Sequence, residues 1–256
     1  MITRIISGMI GIALAAYVIQ RGGIAFAVAA AVLAALAWFE FTRAFSRRGG
    51  NPTFFTGILG IGGMLYSAYL GQLDMILLAL LGSVVLALIT SVILRGDVSV
   101  PDVCVSITGI CYIGLPFAYL IMLRYLSGGI YVTPIETFDL GTAMVWVMFI
   151  GTWASDTFAY FAGRSFGLHK LAPAISPNKT MEGFLGGLLG TVVAVTGLGY
   201  LLQMPLIQMA VLGAAIAVLG TFGDLVESLM KRHTGIKDSG AMIPGHGCVW
   251  DRFDSV

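Results

Sequence analysis

The sequence has 256 residues, of which 58% are hydrophobic and only 11% are charged, whereas soluble domains carry roughly 25% charged residues. A soluble domain of this length could not remove so much apolar surface from water, so the composition excludes an ordinary soluble globular protein. The formal net charge of +1 carries no information about partners, and we predict no nucleic-acid partner. A protein that uses the lipid bilayer as its solvent is predicted instead.

Eight stretches are apolar over approximately the length of a membrane helix, which needs about 20 residues. They cover residues 5–20, 24–41, 54–70, 75–94, 103–123, 140–162, 184–202 and 206–226. We therefore predict an all-α, polytopic transmembrane protein with about eight membrane helices. Residues 1–135 are assigned to N-terminal membrane helices, and residues 136–256 to C-terminal membrane helices with cytoplasmic catalytic loops.

The positions of the basic residues predict the orientation in the membrane. If the N-terminus is cytoplasmic, twelve of the fourteen Lys and Arg residues fall on the cytoplasmic side, and only Arg21 and Arg124 fall outside. Such an excess of cytoplasmic Lys and Arg is typical of membrane proteins. We therefore predict that both ends are cytoplasmic. The two polar stretches that contain most of the chemistry, 163–183 and 227–254, are then cytoplasmic as well.

The first candidate functional group is Asp156, in the cytoplasmic half of the sixth apolar segment. Helical spacing places Asp156, Tyr160 and Arg164 on one face. A carboxylate at membrane depth is costly and needs a cation or another partner. Two interpretations stay open, namely a functional carboxylate and a structural contact between Asp156 and Arg164 near the interface.

The second candidate is the polar loop 176–183, just before the seventh apolar segment. Pro177 ends any preceding helix, so Lys179 and Thr180 are predicted at or near a helix start. Free backbone N–H groups at such a position bind anions, and Lys179 adds a mobile positive charge. An ordinary capped loop with cytoplasmic positive charge would have the same pattern, so this loop alone does not decide between the two.

The third candidate, residues 223–254, contains the densest set of polar residues in the chain. Four of them recur at helical spacing and share one helix face: Asp224, Glu227, Ser228 and Lys231. The run 244–247 lets the backbone approach a ligand closely, and Asp251 and Asp254 follow. Carboxylates of this kind suit Mg²⁺, which binds through one or two carboxylates and substrate phosphates. The alternative is a basic tail that binds anionic lipid headgroups, but such a tail has no need of interleaved carboxylates.

These three stretches resemble the motifs of the phosphatidate cytidylyltransferases, also called CDP-diacylglycerol synthases. The third stretch is similar to the family's C-terminal signature at a series of positions: Ser228, Lys231, Arg232, Lys237, Asp238, Pro244, Gly245, His246, Gly247, Asp251, Arg252 and Asp254. The loop 176–183 and the stretch 156–164 resemble two further motifs, in the same order along the chain. A match at so many spaced positions is hard to obtain by chance.

Three features depart from the family pattern. Cys248 stands where the family usually has a second glycine after the histidine, and Asn178 stands where the loop motif usually has a lysine. The family pattern also continues past the final aspartate into one more apolar helix, whereas this sequence ends at Val256. We therefore expect the family's final helix to be missing here, and activity to be weak or absent unless such a helix, or a partner subunit, supplies the packing.

The resemblance implies the reaction of CTP with phosphatidic acid, which gives CDP-diacylglycerol and pyrophosphate, with Mg²⁺ as cofactor. It implies metal binding by Asp224, Asp251 and a third carboxylate, Asp156. It further implies two sets of groups for the substrates: catalytic Lys231, Arg232, Lys237, His246 and Arg252, and substrate-binding Ser176, Lys179, Thr180, Glu182 and Ser228. The expected location is the inner (plasma) membrane, with the site facing the cytoplasm. The oligomeric state stays open, with a homodimer as one option.

Two other functions stay in competition. A CTP-dependent polyprenol or phytol kinase has a related layout, but it transfers the γ-phosphate to an alcohol. A secondary transporter could use Asp156 and Asp224 as intramembrane ion sites, although it would place them near the bilayer midplane rather than beside basic loops. Metal-dependent incorporation of label from CTP into lipid distinguishes these functions.

Overall fold

The computed structural model describes residues 2–94, 97–132, 137–235 and Trp250. These residues belong to two compact units. The first unit contains residues 2–126 together with Thr234, Gly235 and Trp250, and the second contains residues 127–233.

The first unit consists of helices joined by short turns. They are α1 (Ile2–Arg21), α2 (Gly23–Ser46), α3 (Phe54–Tyr69), α4 (Leu73–Ile93), α5 (Val100–Gly109) and α6 (Leu115–Arg124), and a π-helical turn (Ile110–Gly114) joins α5 to α6. Helix α5 begins where a capping box satisfies the first backbone donors. There, Ser99 N–H donates to the Asp102 carboxylate at 2.9 Å, and Asp102 N–H donates to the Ser99 hydroxyl at 3.4 Å.

Large aromatic side chains of α2 fill the core of the first unit because glycines face them. Trp38 and Phe41 are fully buried. A Cβ atom at Gly57 of α3 would lie 2.0 Å from the Trp38 ring, and one at Gly109 of α5 would lie 2.4 Å from the Phe41 ring. Any larger residue at these two positions would collide with a ring, so the pairing of glycine with aromatic residue fixes how α2 packs against α3 and α5.

Arg124, one of the two basic residues predicted outside the cytoplasm, is buried and caps another helix. Its Nε donates to the Ile19 carbonyl at 2.8 Å, and its Nη2 donates to the Gln20 carbonyl at 3.4 Å. These carbonyls belong to the last turn of α1, where they lack partners within the helix and favour a cation. The contact with α1 therefore explains why a basic residue, Arg124, occurs on the side of the membrane that is predicted to have few of them.

The described residues of the second unit form two short hairpins and three long helices. The strands β1 (Ile130–Val132) and β2 (Thr137–Asp139) pair antiparallel and precede α7 (Leu140–Phe166). The strands β3 (Lys170–Ala172) and β4 (Ser176–Thr180) also pair antiparallel and precede α8 (Met181–Leu201), which α9 (Leu206–Thr234) follows. The hairpins are not predicted from the sequence, because strands of three to five residues in polar loops are too short to show an alternating apolar pattern.

Helices α7 and α8 approach each other closely along a row of glycines on α8. A Cβ atom at Gly183 would lie 3.0 Å from the carbonyl oxygen of Ala159, and one at Gly187 would lie 3.0 Å from that of Ser155. The contacts are with backbone atoms, which cannot move aside as a flexible side chain can. Small residues therefore set the distance between the two helices, as in other membrane helix pairs.

We expect Gly187→Leu to lower the melting temperature of the protein in detergent, whereas Gly197→Leu should leave it unchanged. Forcing a side chain into a packed contact costs roughly 1–3 kcal/mol, while a Cβ atom at Gly197 of the same helix meets nothing within 4 Å. Thermal unfolding of both variants, followed by loss of the monodisperse detergent complex, measures the difference. Equal melting temperatures would contradict the close packing of α7 and α8.

All eight apolar segments predicted from the sequence are helical in the described structure. Among the described helices, five stretches are long and apolar enough to cross a bilayer: α2, α4, the continuous α5–α6 stretch, α8 and α9. Large apolar side chains on these helices are exposed, including Val92 at 75% and Val193 at 70%, as expected of surfaces that face lipid. The all-α polytopic membrane class is thus confirmed.

Candidate active site

A cavity of about 590 Å³ lies within the second unit, among α7, β4, α8 and α9. Its lining brings together polar residues from three separate parts of the chain: Asp156, Tyr160, Arg164, Asn178, Lys179, Thr180, Thr221 and Asp224. Four of the residues predicted for metal or substrate binding, Asp156, Lys179, Thr180 and Asp224, therefore share one cavity.

Helix α7 contributes one polar face to the cavity. Asp156, Tyr160 and Arg164 follow each other at intervals of one helical turn, and all three line the cavity. The Arg164 Nη1 donates to the Tyr160 hydroxyl at 3.1 Å, which holds the guanidinium against the helix. The predicted common face of these residues is confirmed.

Two residues that line the cavity, Lys179 of β4 and Asp224 of α9, form an ion pair between Nζ and Oδ2. Their side chains are 25% and 33% exposed, so both groups remain reachable from the cavity. The Ser228 hydroxyl, one turn further along α9, donates to Asp224 Oδ1 at 3.5 Å. The Asp224 carboxylate therefore lies between a cation and a hydroxyl group, and Ser228 is close to the metal ligand predicted at Asp224.

The predicted helix start at Lys179 and Thr180 is confirmed. Thr180 is the N-cap of α8, and its hydroxyl accepts the Gly183 N–H at 3.1 Å. Lys179 and Thr180 line the cavity next to this helix start, where backbone N–H groups and the helix dipole favour an anion. The arrangement can bind a phosphate group.

Three of the predicted substrate-binding residues, Ser176, Glu182 and Ser228, are absent from the described cavity lining. Ser176 begins β4 and pairs with Ala172 across the hairpin. The Glu182 carboxylate accepts the N–H groups of Leu168 and His169 at 3.2 Å, and it lies 2.6 Å from the His169 Nδ1. In its described contacts, Glu182 therefore holds the connection from α7 to β3 in place.

Lys231 and Arg232, two basic residues predicted to be catalytic, lie near the C-terminal end of α9. Both contact other residues of the protein. Lys231 Nζ lies 2.6 Å from Glu227 Oε1, and the side chains are 18% and 5% exposed. The Arg232 Nε donates to the Ile175 carbonyl in the β3–β4 turn at 3.0 Å. Arg232 thus connects α9 to the hairpin that carries Lys179. The other predicted site residues, Lys237, His246, Asp251 and Arg252, lie outside the described residues.

The carboxylates that line the cavity suit a magnesium ion that is also bound by substrate phosphates. Asp156 and Asp224 offer carboxylate oxygens, the ligands that Mg²⁺ prefers, and Mg²⁺ commonly uses only one or two of them. No group of three or more His, Cys, Asp or Glu side chains within the described ranges could hold a metal by itself. The described residues therefore suit a metal that arrives with, or is completed by, a phosphate ligand.

Thr221 lines the cavity together with Asp224, although no role for it was predicted from the sequence. It lies three residues before Asp224 on the same helix, so its position on that face could have been inferred from helical spacing. Its hydroxyl donates to the Ala217 carbonyl at 2.8 Å. Asn178 also lines the cavity, at one of the positions where the sequence departs from the resembled loop motif.

The sequence is similar to one family of known proteins and to relatives that share one name. The sequence matches the cytidylyltransferase family over residues 2–256. It is 41% identical over 146 residues to a phosphatidate cytidylyltransferase of Bacillus subtilis (strain 168), which covers 56% of this chain and 50% of that protein. It is 38% and 36% identical over 163 residues to proteins of the same name from Staphylococcus saprophyticus and Staphylococcus aureus, with 63% of this chain and 57% of each relative covered. The chain spans about half the length of the curated relatives it matches.

Proposed function

The chain belongs to the cytidylyltransferase family, and from this premise we propose that it transfers the cytidylyl group of CTP to phosphatidic acid. The products are CDP-diacylglycerol and pyrophosphate. The observation that supports this activity most directly is the presence of two carboxylates, Asp156 and Asp224, and two cations, Arg164 and Lys179, around one cavity. A site that joins two phosphate-bearing substrates needs both kinds of charge.

In the proposed reaction, an oxygen of the lipid phosphate attacks the α-phosphorus of CTP. A new P–O bond forms there, the bond from the α-phosphorus to the bridging oxygen of the β-phosphate breaks, and pyrophosphate leaves with that electron pair. The attacking phosphate is already anionic at neutral pH, so no strong general base is required. The main obstacle is repulsion between two polyanions, so positioning and charge neutralisation supply most of the catalysis.

The residues of the cavity fit these two tasks. The Arg164 guanidinium can bind a phosphate through two parallel hydrogen bonds, and its contact with Tyr160 orients it beforehand. Lys179 and the start of α8 offer a second anion-binding position. A Mg²⁺ ion held by Asp224 and Asp156 would supply further positive charge to the triphosphate. When phosphate enters, it competes with Asp224 for Lys179, so the ion pair seen between these residues would rearrange.

We further propose that the protein resides in the inner (plasma) membrane with this cavity facing the cytoplasm. CTP is a cytoplasmic nucleotide, and the cavity is lined by residues of the stretch 163–183, which the charge distribution predicts to be cytoplasmic. Both considerations support the same orientation, and they do so independently of each other.

Cysteine labelling tests this orientation. In a background with Cys104, Cys111 and Cys248 replaced by serine, Leu168→Cys should react with an impermeant thiol reagent only after the cytoplasmic side is exposed. Ile130→Cys should react from the opposite side. Both positions are accessible, at 83% and 76% exposed, so a difference between them reports sidedness rather than burial. Labelling of Leu168→Cys from the outside alone would reject the proposed orientation.

The position of the label in CTP distinguishes the candidate activities. The purified protein is incubated with phosphatidic acid, Mg²⁺ and CTP that carries radioactive phosphorus in either the α or the γ position. Cytidylyl transfer places the α label in lipid and the γ label in pyrophosphate, and it requires phosphatidic acid. Transfer of the γ label to a lipid alcohol would instead identify a kinase. The same assay is run on a version extended by a C-terminal apolar helix, and incorporation of neither label by either version would contradict the proposed function and favour the transporter alternative.

A further inference from the structure

The hairpin that carries Lys179 contacts α9 at each end of β4. At one end, the Lys179 Nζ pairs with Asp224 Oδ2. At the other end, in the turn just before β4, the Ile175 carbonyl accepts a hydrogen bond from Arg232 Nε at 3.0 Å. Ile175 also closes that turn, because its N–H donates to the Ala172 carbonyl at 3.1 Å. Arg232 therefore holds the turn of the hairpin against α9.

The spacing of these contacts is the same along the helix and along the strand. Asp224 and Arg232 are eight residues apart on α9, which is about 12 Å at the rise of an α-helix. Ile175 and Lys179 are four residues apart, in a chain that is extended from Ser176 on, which is about 13 Å at the rise of a strand. The order along the strand is the reverse of that along the helix. β4 therefore lies lengthwise along α9, and each end of it meets a side chain of the helix.

The contact at Lys179 is the one that the proposed reaction disturbs. Lys179 lines the cavity together with Asp224, and a phosphate group that binds Lys179 competes with that carboxylate. Arg232 is exposed and is not part of the described cavity lining. Its partner is an uncharged backbone carbonyl, for which a phosphate does not compete. The Arg232 contact can therefore persist while the Lys179 contact changes.

We propose that Arg232 is a positioning residue: by holding the turn at Ile175 against α9, it fixes where β4 places Lys179 in the cavity. This inference rests on the proposed function, in which Lys179 binds a substrate phosphate. The family resemblance implies instead a catalytic role for Arg232, in direct contact with a substrate. Positioning requires an N–H donor at the place of Nε, whereas binding a phosphate requires the positive charge.

Three substitutions separate the donor from the charge. In glutamine the amide nitrogen is bonded to Cδ, as Nε is in arginine, so Arg232→Gln keeps a donor at this place and removes the charge. Methionine has a methyl group there, so Arg232→Met keeps the length and removes both. Arg232→Lys keeps the charge but has a methylene group at the place of Nε. The matched control is Lys170→Met, which removes an exposed positive charge from β3 of the same hairpin.

Hydrogen exchange of residues 170–180, measured by mass spectrometry on the full chain in detergent, tests how firmly the hairpin is held. Arg232→Met should speed exchange there about fivefold, as expected for the loss of one hydrogen bond, and Arg232→Gln should stay closer to the wild type. Lys170→Met should exchange like the wild type. The β1–β2 hairpin is the internal reference and should exchange equally in all variants. Unchanged exchange of residues 170–180 in Arg232→Met would overturn the inference.

Acylation of Lys179 by an amine-reactive reagent tests whether the hairpin fixes this side chain. An ammonium group that pairs with a carboxylate reacts slowly, so a displaced Lys179 should react faster. Arg232→Met should raise the acylation rate at Lys179 about two- to fivefold, the range expected for loss of a weak ion pair, and Arg232→Gln should raise it less. Faster exchange of residues 170–180 with an unchanged acylation rate would also overturn the inference.

Turnover ranks the variants in a different order for the two roles. If Arg232 positions the hairpin, cytidylyl transfer should fall less in Arg232→Gln than in Arg232→Lys or Arg232→Met. Higher activity in Arg232→Lys than in Arg232→Gln would assign Arg232 to substrate binding and overturn the inference. If Arg232→Met does not fold, Arg232→Lys carries the exchange and acylation measurements. Failure of the labelled-CTP assay in both unsubstituted versions would reject the proposed function alone, because exchange and acylation do not depend on turnover.

Discussion

Asp224→Asn is expected to reduce cytidylyl transfer about 100-fold or more, the usual effect of losing one preorganised electrostatic contact, while the protein stays folded in detergent. Asparagine has the same shape and can still accept the hydrogen bond from Ser228. It lacks the negative charge that pairs with Lys179 and that a metal ion would require. The substitution therefore removes charge from the cavity without leaving a hole in the packing.

The measurement is incorporation of α-labelled CTP into lipid over a range of Mg²⁺ concentrations. Asp74→Asn is the matched control, because Asp74 is an exposed carboxylate in the first turn of α4 and is not among the residues that line the cavity. Asp156→Asn should show a loss in the same direction as Asp224→Asn. A near-normal rate for Asp224→Asn at ordinary Mg²⁺ would remove this carboxylate from the mechanism.

Local patterns in the sequence were sufficient to predict the helices and several features of the site. Apolar runs identified the eight helical segments, because a segment in lipid must satisfy its backbone internally and a helix does so. Spacing by one turn placed Asp156, Tyr160 and Arg164 on one face. Pro177, which ends any preceding helix, predicted a helix start at or near Lys179 and Thr180, and α8 begins there. Each of these features depends on residues that are close in sequence.

Contacts between distant residues could not be predicted in the same way. Periodicity shows which face of a helix is polar, but it does not show which element packs against that face. The pairing of Lys179 with Asp224 depends on how β4 and α9 meet, and the bond from Trp250 to Glu40 joins residues 210 positions apart. Glu182 is a further example: the sequence did not show that its carboxylate lies against the backbone N–H groups of residues 168 and 169, and its substrate binding stays a prediction. The hairpin itself was not predicted from the sequence.

Lys231→Met is expected both to destabilise the protein and to impair turnover, and the structure provides a way to separate the two effects. Lys231 lies 2.6 Å from the buried Glu227. Removing one member of a buried ion pair typically costs roughly 3–5 kcal/mol, because the remaining charge stays in the interior. A loss of activity in this variant alone would therefore not distinguish a phosphate-binding lysine from a structural one.

The double variant Glu227→Gln/Lys231→Met makes the distinction. Neutralising both partners should recover most of the lost stability, since no uncompensated charge remains, whereas turnover should stay low if Lys231 also binds a substrate phosphate. Melting temperature and label incorporation are measured on the same preparations, with Arg47→Met as the control for a basic residue at an exposed helix end. Recovery of turnover together with stability would limit Lys231 to its pairing with Glu227. Equally small losses in Lys231→Met and Arg47→Met would instead favour a basic tail that only attracts anionic lipid.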